Sequence, residues 1–360
     1  MTGQLSARAA ARVTWKRMKM AARACAMAVL LSACGNKAAV GFGGEESGSV
    51  DDAPSGQDVA IGSGPSDDGG AVHLVTIDGG GQVIVGGDGG LVLPSNFVAT
   101  ELGGYALGPA ITTGGSDAGA VENSGTANCS LVTGVVRDFK DLPDDNNTGD
   151  PDFDAFSGLA PTMGLVLKAL GSDLKPVYAD NCADGTTIFT AGCPYGQMLT
   201  TEANYNEWYR FAPNVNKPFL VYLKFVPNSG VYTFDSEEYF PLDDAGWGNN
   251  ATGDDGKPHN FGFTTEVHLE FLYKGGETFT FVGDDDVWAF IDHQLAVDLG
   301  GTHSAATGSA SLDSLGLIKG GQYPLDIFNA ERHPTGSHFR VDTNLSFTSC
   351  GTVPPDVPPQ

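Results

Sequence analysis

Basic residues are scarce in this chain: 19 Lys and Arg stand against 44 Asp and Glu, a formal net charge of −25. Too little positive charge is present to grip a nucleic-acid backbone or an anionic bilayer, which excludes both as charge-driven partners. Long hydrophobic runs are missing as well. The longest, Ala24-Cys25-Ala26-Met27-Ala28-Val29-Leu30-Leu31, is far shorter than the roughly 20 apolar residues a membrane-spanning helix needs. No segment sustains a 3.6-residue apolar period, which excludes a helical bundle; Leu165 to Leu170 is the best candidate for a turn or two of helix. The signatures G-x-S-x-G, H-E-x-x-H and the P-loop are absent, so the commonest hydrolase and nucleotide-binding chemistries have no foothold. There are six cysteines and no C-x-x-C, which argues against a structural zinc site.

What is present begins with a leader. Arg8, Arg12, Lys16, Arg17, Lys19 and Arg23 precede the short apolar run with no acidic residue among them, the order of a secretory signal. The run ends in Leu31-Ser32-Ala33-Cys34, which resembles the lipobox of bacterial lipoproteins. That resemblance implies a signal peptide over residues 1–33, acylation of Cys34, and export to the cell surface or outer membrane. The membrane would then be met only through the lipid. Four cysteines remain for the exported chain, Cys129, Cys182, Cys193 and Cys350, and an even number in an oxidising compartment reads as two disulfides. Three pairings are open. Cys182 with Cys193 closes a short loop, and Cys129 with Cys350 staples the two ends of the following module.

Residues 34–128 are rich in Gly, Ser, Asp and Ala and poor in aromatics. Such a stretch buries too little apolar surface to offset its ordering entropy, so it is predicted to be a disordered, flexible tether. The bursts Val72 to Val75, Val83 to Val85 and Leu91 to Leu93 are β-prone but short. Composition changes at Cys129. From there to residue 350 aromatic residues are frequent, and apolar residues alternate with polar ones between Gly- and Pro-marked turns. Leu220 to Val226, Val231 to Phe234, Val267 to Phe271, Thr278 to Phe281, Tyr323 to Phe328 and Phe339 to Phe347 read as strands, with a hairpin over Val287 to Leu299 turning at Asp292-His293. The expected fold is one all-β sandwich or barrel over 129–350, followed by a proline-rich tail, 351–360.

The most informative run is Gly283-Asp284-Asp285-Asp286-Val287-Trp288-Ala289-Phe290-Ile291-Asp292, followed by Leu295 to His303 and by Tyr323-Pro324-Leu325-Asp326-Ile327-Phe328-Asn329-Ala330-Glu331-Arg332-His333. Upstream lie Val135-Val136-Arg137-Asp138-Phe139, Asp150-Pro151-Asp152-Phe153, Asn206-Glu207-Trp208-Tyr209-Arg210, Tyr239-Phe240-Pro241-Leu242-Asp243 and His259 to Glu266. This set, in this order, resembles the fibro-slime domain, a branch of the PA14-like β-barrels found in exported proteins of myxobacteria and in slime-mould proteins. The resemblance runs from about Leu131 to Phe347. It implies an Asp-Asp pair before a strand, joined by a cis peptide, that holds calcium and through it sugar hydroxyls. Asp284-Asp285 matches that pair, and the third aspartate, Asp286, is usual in the fibro-slime branch.

Residue chemistry is compatible with that implication. Three adjacent aspartates repel one another, and calcium, which takes six to eight oxygen ligands, relieves the repulsion. Asp298, Asn329 and Glu331 are candidate further ligands; the D-x-D-x-D-G spacing of an EF-hand is absent. Ligand-contact candidates are His303, His333 and the loop-borne Trp247, whereas Trp288 lies within a strand and reads as core. Glu331-Arg332-His333 offers acid, base and cation side by side, yet neighbours on a strand face opposite ways and do not share a substrate; Arg332 is read as the partner of a carboxylate. The expected function is calcium-dependent binding of carbohydrate or extracellular-matrix polymer. The alternative is a structural matrix protein without a sugar site. A glycoside hydrolase ranks last, because adjacent aspartates on one loop do not supply two carboxyls across a cleft.

Overall fold

The computed structural model describes residues 73–77, 81–85, 93–111, 129, 131–141, 149–154, 160–179 and 198–351. The leader, Cys34, Cys182, Cys193 and the proline-rich tail fall outside the described residues. In chain order the strands are β1 (His73–Ile77), β2 (Gly81–Val85), β3 (Val98–Ala99), β4 (Gly104–Ala110), β5 (Leu131–Phe139), β6 (Asn216–Lys224), β7 (Val226–Asn228), β8 (Val231–Ser236) and β9 (Ala251–Thr252). Then follow β10 (Pro258–His259), β11 (Phe263–Leu272), β12 (Thr278–Gly283), β13 (Asp286–Ile291), β14 (Gln294–Leu299), β15 (Ala306–Ser311), β16 (Gln322–Glu331), β17 (Phe339–Thr343) and β18 (Ser346–Ser349). Among the described residues the one α-helix is a single turn, α1 (Glu202–Tyr205), capped by the Thr201 side chain.

Antiparallel pairing builds two main sheets. The larger runs β14-β13-β16-β11-β5-β6-β4-β3, with β18 also paired to β11, and the smaller runs β15-β12-β17-β8-β7. One core draws on both sheets: Val136, Val221, Phe263 and Ile327 from the larger, Phe234, Phe279, Phe281 and Val341 from the smaller. The larger sheet is covered on its other face too. There Trp288, Phe290 and Phe328 pack with Phe153, Leu165, Met198, Tyr205 and Trp208 from the segments between β5 and β6. Burial on both faces explains why Val287 to Ile291 is an unbroken apolar run rather than an alternating one. Trp288 is fully buried, as its place within a strand suggests.

The hairpin between β13 and β14 turns at Asp292-His293, with φ of 52° and 59°. Both residues thus adopt the left-handed conformation that a two-residue type I′ turn demands, without glycine. Cys129 and Cys350 are disulfide-bonded, closing a sequence separation of 221 residues and tying the start of β5 to the end of β18.

Two expectations are corrected. The tether does not extend to residue 128: β4 pairs with β6, and Tyr105 and Ala106 are buried in the module. Gly108 permits this, because a Cβ there would come within 2.8 Å of Leu220 Cβ. Leu165 to Leu170 is not helical. It is irregular, with bridges from Val166 to Tyr178 and from Ala169 to Gln294, and Leu165, Val166 and Leu170 serve the second core while Leu167 is exposed.

Candidate functional site

The run Asp284-Asp285 is the whole connection between β12, in the smaller sheet, and β13, in the larger. The aspartate pair therefore sits at the rim of the sandwich, where the chain crosses from one sheet to the other. The Asp284–Asp285 peptide is cis, as the family resemblance implies. Gly283 precedes it because the backbone of His338 lies too close for a side chain, 2.4 Å from a Cβ at that position.

Two other connections are tied to the pair by backbone N–H groups. Asp285 Oδ1 accepts from His303 N at 3.0 Å, and Oδ2 accepts from Arg332 N at 3.0 Å and His333 N at 2.6 Å. Asp284 Oδ1 accepts from His338 N at 2.5 Å. Asn329 Nδ2 donates to the carbonyls of Asp284 and Asp286, at 3.2 Å each. These contacts fix the carboxylates where the β12–β13, β14–β15 and β16–β17 connections meet.

The electrostatics of this rim are one-sided. Asp285 is 1% exposed, and burial pushes its carboxyl up to about 8, with Asp286 and Asp284 adding to the rise and Arg332 opposing it. Glu331, on β16 across from Phe263, is equally buried, with the Ser337 side chain beside it as a hydrogen-bond donor. Burial first, then Asp285 and Asp284, hold Glu331 well above the usual carboxylate range. Asp284, half-buried, is likewise raised by burial. Clustered carboxylates in a water-poor setting call for protons or a cation.

Donor type and charge fit a hard divalent cation. Asp284, Asp285 and Glu331 supply carboxylate oxygen and Asn329 an amide oxygen. Among the described residues, however, no three His, Cys, Asp or Glu side chains close on one point to hold a metal by themselves. Calcium at this rim would thus complete its shell with carbonyls and water.

Asp286 is not part of that group. Its strand position opposite Ala330 turns it to the other face, where Oδ2 receives Arg332 Nε at 2.7 Å and Nη2 at 2.6 Å, and Oδ1 receives Gly301 N at 2.5 Å. Arg332 is fully enclosed; its Nη1 donates to the carbonyls of Asp152 and Met198, and its guanidinium lies 4.8 Å from the Trp208 ring centroid. Asp298 also points elsewhere, accepting from Gly164 N at 2.9 Å and Trp288 Nε1 at 3.1 Å. His303 is buried, with Nδ1 2.8 Å from the Ser304 carbonyl and Nε2 3.0 Å from that of Leu299, so its ring is not presented to a ligand. His333 is half-buried at the rim, with Nδ1 3.1 Å from Thr335 Oγ1. Trp247 is 41% exposed on a separate loop.

A second group was not legible in the sequence. Glu266 on β11 receives Arg137 Nη1 at 2.6 Å, the Lys175 ammonium, and His268 Nε2 at 2.5 Å, while His268 Nδ1 meets Asp326 Oδ1 at 2.6 Å. Burial pushes the Glu266 carboxyl up, but Lys175 and Arg137 outweigh it and hold the group well below its ordinary value. Lys175 thereby pins residues 160–179 over the larger sheet.

Residues 216–359 match the family model described as the PA14 domain. Among curated proteins, protein psiR of Dictyostelium discoideum is 36% identical over 215 residues, covering 57% of this chain and 20% of that protein. Protein psiQ of the same organism is 35% identical over 235 residues, covering 62% of this chain and 22% of its own length. Protein psiD is 37% identical over 190 residues, 51% of this chain and 36% of that protein. This chain thus spans about a fifth of the first two relatives. Among solved structures, a PA14 sugar-binding domain from an RTX adhesin is similar with a TM-score of 0.23 and 11% identity, covering 61% of this chain and 96% of that one. The fold defines an all-β sandwich of antiparallel sheets. The stretch similar to the PA14 domain, residues 216–359, includes the Asp284-Asp285 rim and Trp247.

Proposed function

We propose that this protein is an exported, lipid-anchored adhesion protein of the fibro-slime type that binds carbohydrate of an extracellular matrix through calcium held at the Asp284-Asp285 rim, and that it is not an enzyme. The observation that carries this reading is a pair of buried carboxylates at the crossing between the two sheets, Asp285, held by three backbone N–H groups, and Glu331. Asp284, Asp285, Asn329 and Glu331 are the residues that would hold the ion. Bound there, calcium supplies open coordination positions that accept sugar hydroxyl oxygens. The chain's own part is positional: backbone N–H groups of His303, Arg332, His333 and His338 fix the two aspartates, and the half-buried His333 offers a side chain at the rim. Cys34 is the anchor, and the Gly- and Ser-rich segment behind it carries the module away from the membrane. The PA14 match over residues 216–359 supports the carbohydrate-binding part of this reading.

A second reading has one observation in its favour. Asp285 is so deeply buried that an ion on it serves to join three loops, leaving a matrix scaffold without a sugar site. Retention of the full chain on immobilised polysaccharides, in millimolar calcium and again in EDTA, separates the two. Calcium-dependent retention supports the adhesin; no retention in either buffer favours the scaffold, and equal retention in both removes calcium from the sugar binding.

A further inference from the structure

A second feature lies at the same end of the larger sheet. Asp138, at the end of β5, pairs with Phe263, and Phe263 pairs with Glu331, which places Asp138 two strand spacings, about 10 Å, from the calcium-type rim. Beside it opens a cleft of about 290 Å³ bounded by Phe139, Lys140 and Asp141 and by the loop that carries Trp247.

That loop is fixed by an unusual number of polar contacts for a surface turn. Trp247 N donates to Asp138 Oδ2, and Asn260 Nδ2 donates to Asp138 Oδ1 at 2.9 Å. Gly246 is at φ +62°, and a Cβ on it would lie 1.9 Å from the Asp138 carboxylate, so no other residue fits. Asn249 ties Asp244 to the Pro258 carbonyl, and Asn250 spans Asp141 and both backbone groups of Phe261. Lys217 Nζ donates to the Gly246 carbonyl at 2.8 Å and stands 3.6 Å over the indole, and Lys140 Nζ lies 5.2 Å from the ring centroid, so the two cations take part of the ring's surface. Trp208 and Trp288 are completely buried, whereas all these bonds hold Trp247 partly in solvent. A large aromatic side chain held rigidly at the mouth of a cleft loses little entropy when it binds, which is what an anchor for a ligand requires.

We propose that this cleft is a calcium-independent subsite for one hexopyranose unit of a neutral polysaccharide, stacked on the remaining exposed surface of Trp247 with its hydroxyls meeting Lys140 and Asp141. The C–H face of a pyranose matches the electron-rich face of the indole, and its rim of hydroxyls matches the charged groups at the cleft's edge. The volume is at the lower limit for small-molecule sites, enough for a ring or two. The net charge of −25, with Asp138 and Asp141 nearby, disfavours an acidic glycan. This subsite does not depend on the ion at Asp284-Asp285, so EDTA separates the two proposals.

The test is affinity electrophoresis of the full chain in EDTA through gels containing a β-glucan, a galactan or a mannan. At least one of the three is expected to retard the protein. Trp247→Ala should weaken that retardation roughly tenfold, while Trp247→Tyr keeps most of it. Lys140→Ala, which leaves the aromatic in place, should weaken it several-fold and stands in if Trp247→Ala loses its cooperative melt. No retardation by any of the three in EDTA overturns the proposal, as does retardation unchanged in both Trp247→Ala and Lys140→Ala.

Discussion

Arg332 Nε donates to Asp286 Oδ2 at 2.7 Å in a setting where both residues are fully buried, so the end of β16 and the start of β13 are joined by an ion pair that water does not reach. The pair stands one residue from Asp285 and from Glu331, on the opposite face of the sheet.

Removing one partner of such a pair leaves the other charged and buried. Arg332→Leu is therefore expected to lower unfolding stability by about 3–5 kcal/mol, and Arg332→Lys by less, because it keeps the charge and loses the fork. Urea titration of each variant measures this. A loss under about 1 kcal/mol in Arg332→Leu contradicts the role given to the pair.

The Trp247 loop should report on pH through Asp138. Burial pushes this carboxyl up to about 7 from an ordinary 3.8, against the opposing bonds from Asn260 and Trp247. The folded state therefore binds the proton more tightly than the unfolded chain. The resulting contribution is fully present below about pH 4 and is lost as pH rises through about 7, with a slope of at most about 1.4 kcal/mol per pH unit. Asp138→Asn should flatten the stability profile between those limits relative to the parent chain. Parallel profiles for the two proteins count against the assignment.

The Cys129–Cys350 bond closes a loop of 221 residues, long enough for a chain-entropy contribution of about 5 kcal/mol. Replacing Cys350 by Ser is expected to lower the melting temperature by roughly 10 °C while leaving a cooperative transition. A shift of a degree or two would mean that β18 is held by its pairing with β11 alone.

Strand periodicity made most of the sandwich readable, because alternation between Phe263 and Leu272 or Thr278 and Phe281 is a local property. The Asp284-Asp285 rim was legible through a contiguous motif. β4 was not: Gly104, Gly108 and Pro109 give it the composition of a linker, and its partner β6 lies more than a hundred residues away. The Glu266 cluster failed for the same reason, since Lys175 and Arg137 reach it from 91 and 129 residues off and read locally as ordinary charges. The third aspartate shows where a motif stops short. Run adjacency groups Asp286 with its neighbours, but the two-residue period of β13 sends it to the opposite face, to Arg332. Trp247 stood out because the Gly-rich turn around it offers no strand to bury it.

Thermal unfolding of the full chain, in EDTA and then across rising calcium, tests the rim most directly. A ligand bound only by the folded state stabilises it by mass action. The melting temperature should rise steadily with calcium, and both Asp284→Asn and Asp285→Asn should abolish the rise while still melting cooperatively. A melting temperature indifferent to calcium, or an equal rise in the parent chain and both variants, would contradict a cation site at Asp284-Asp285.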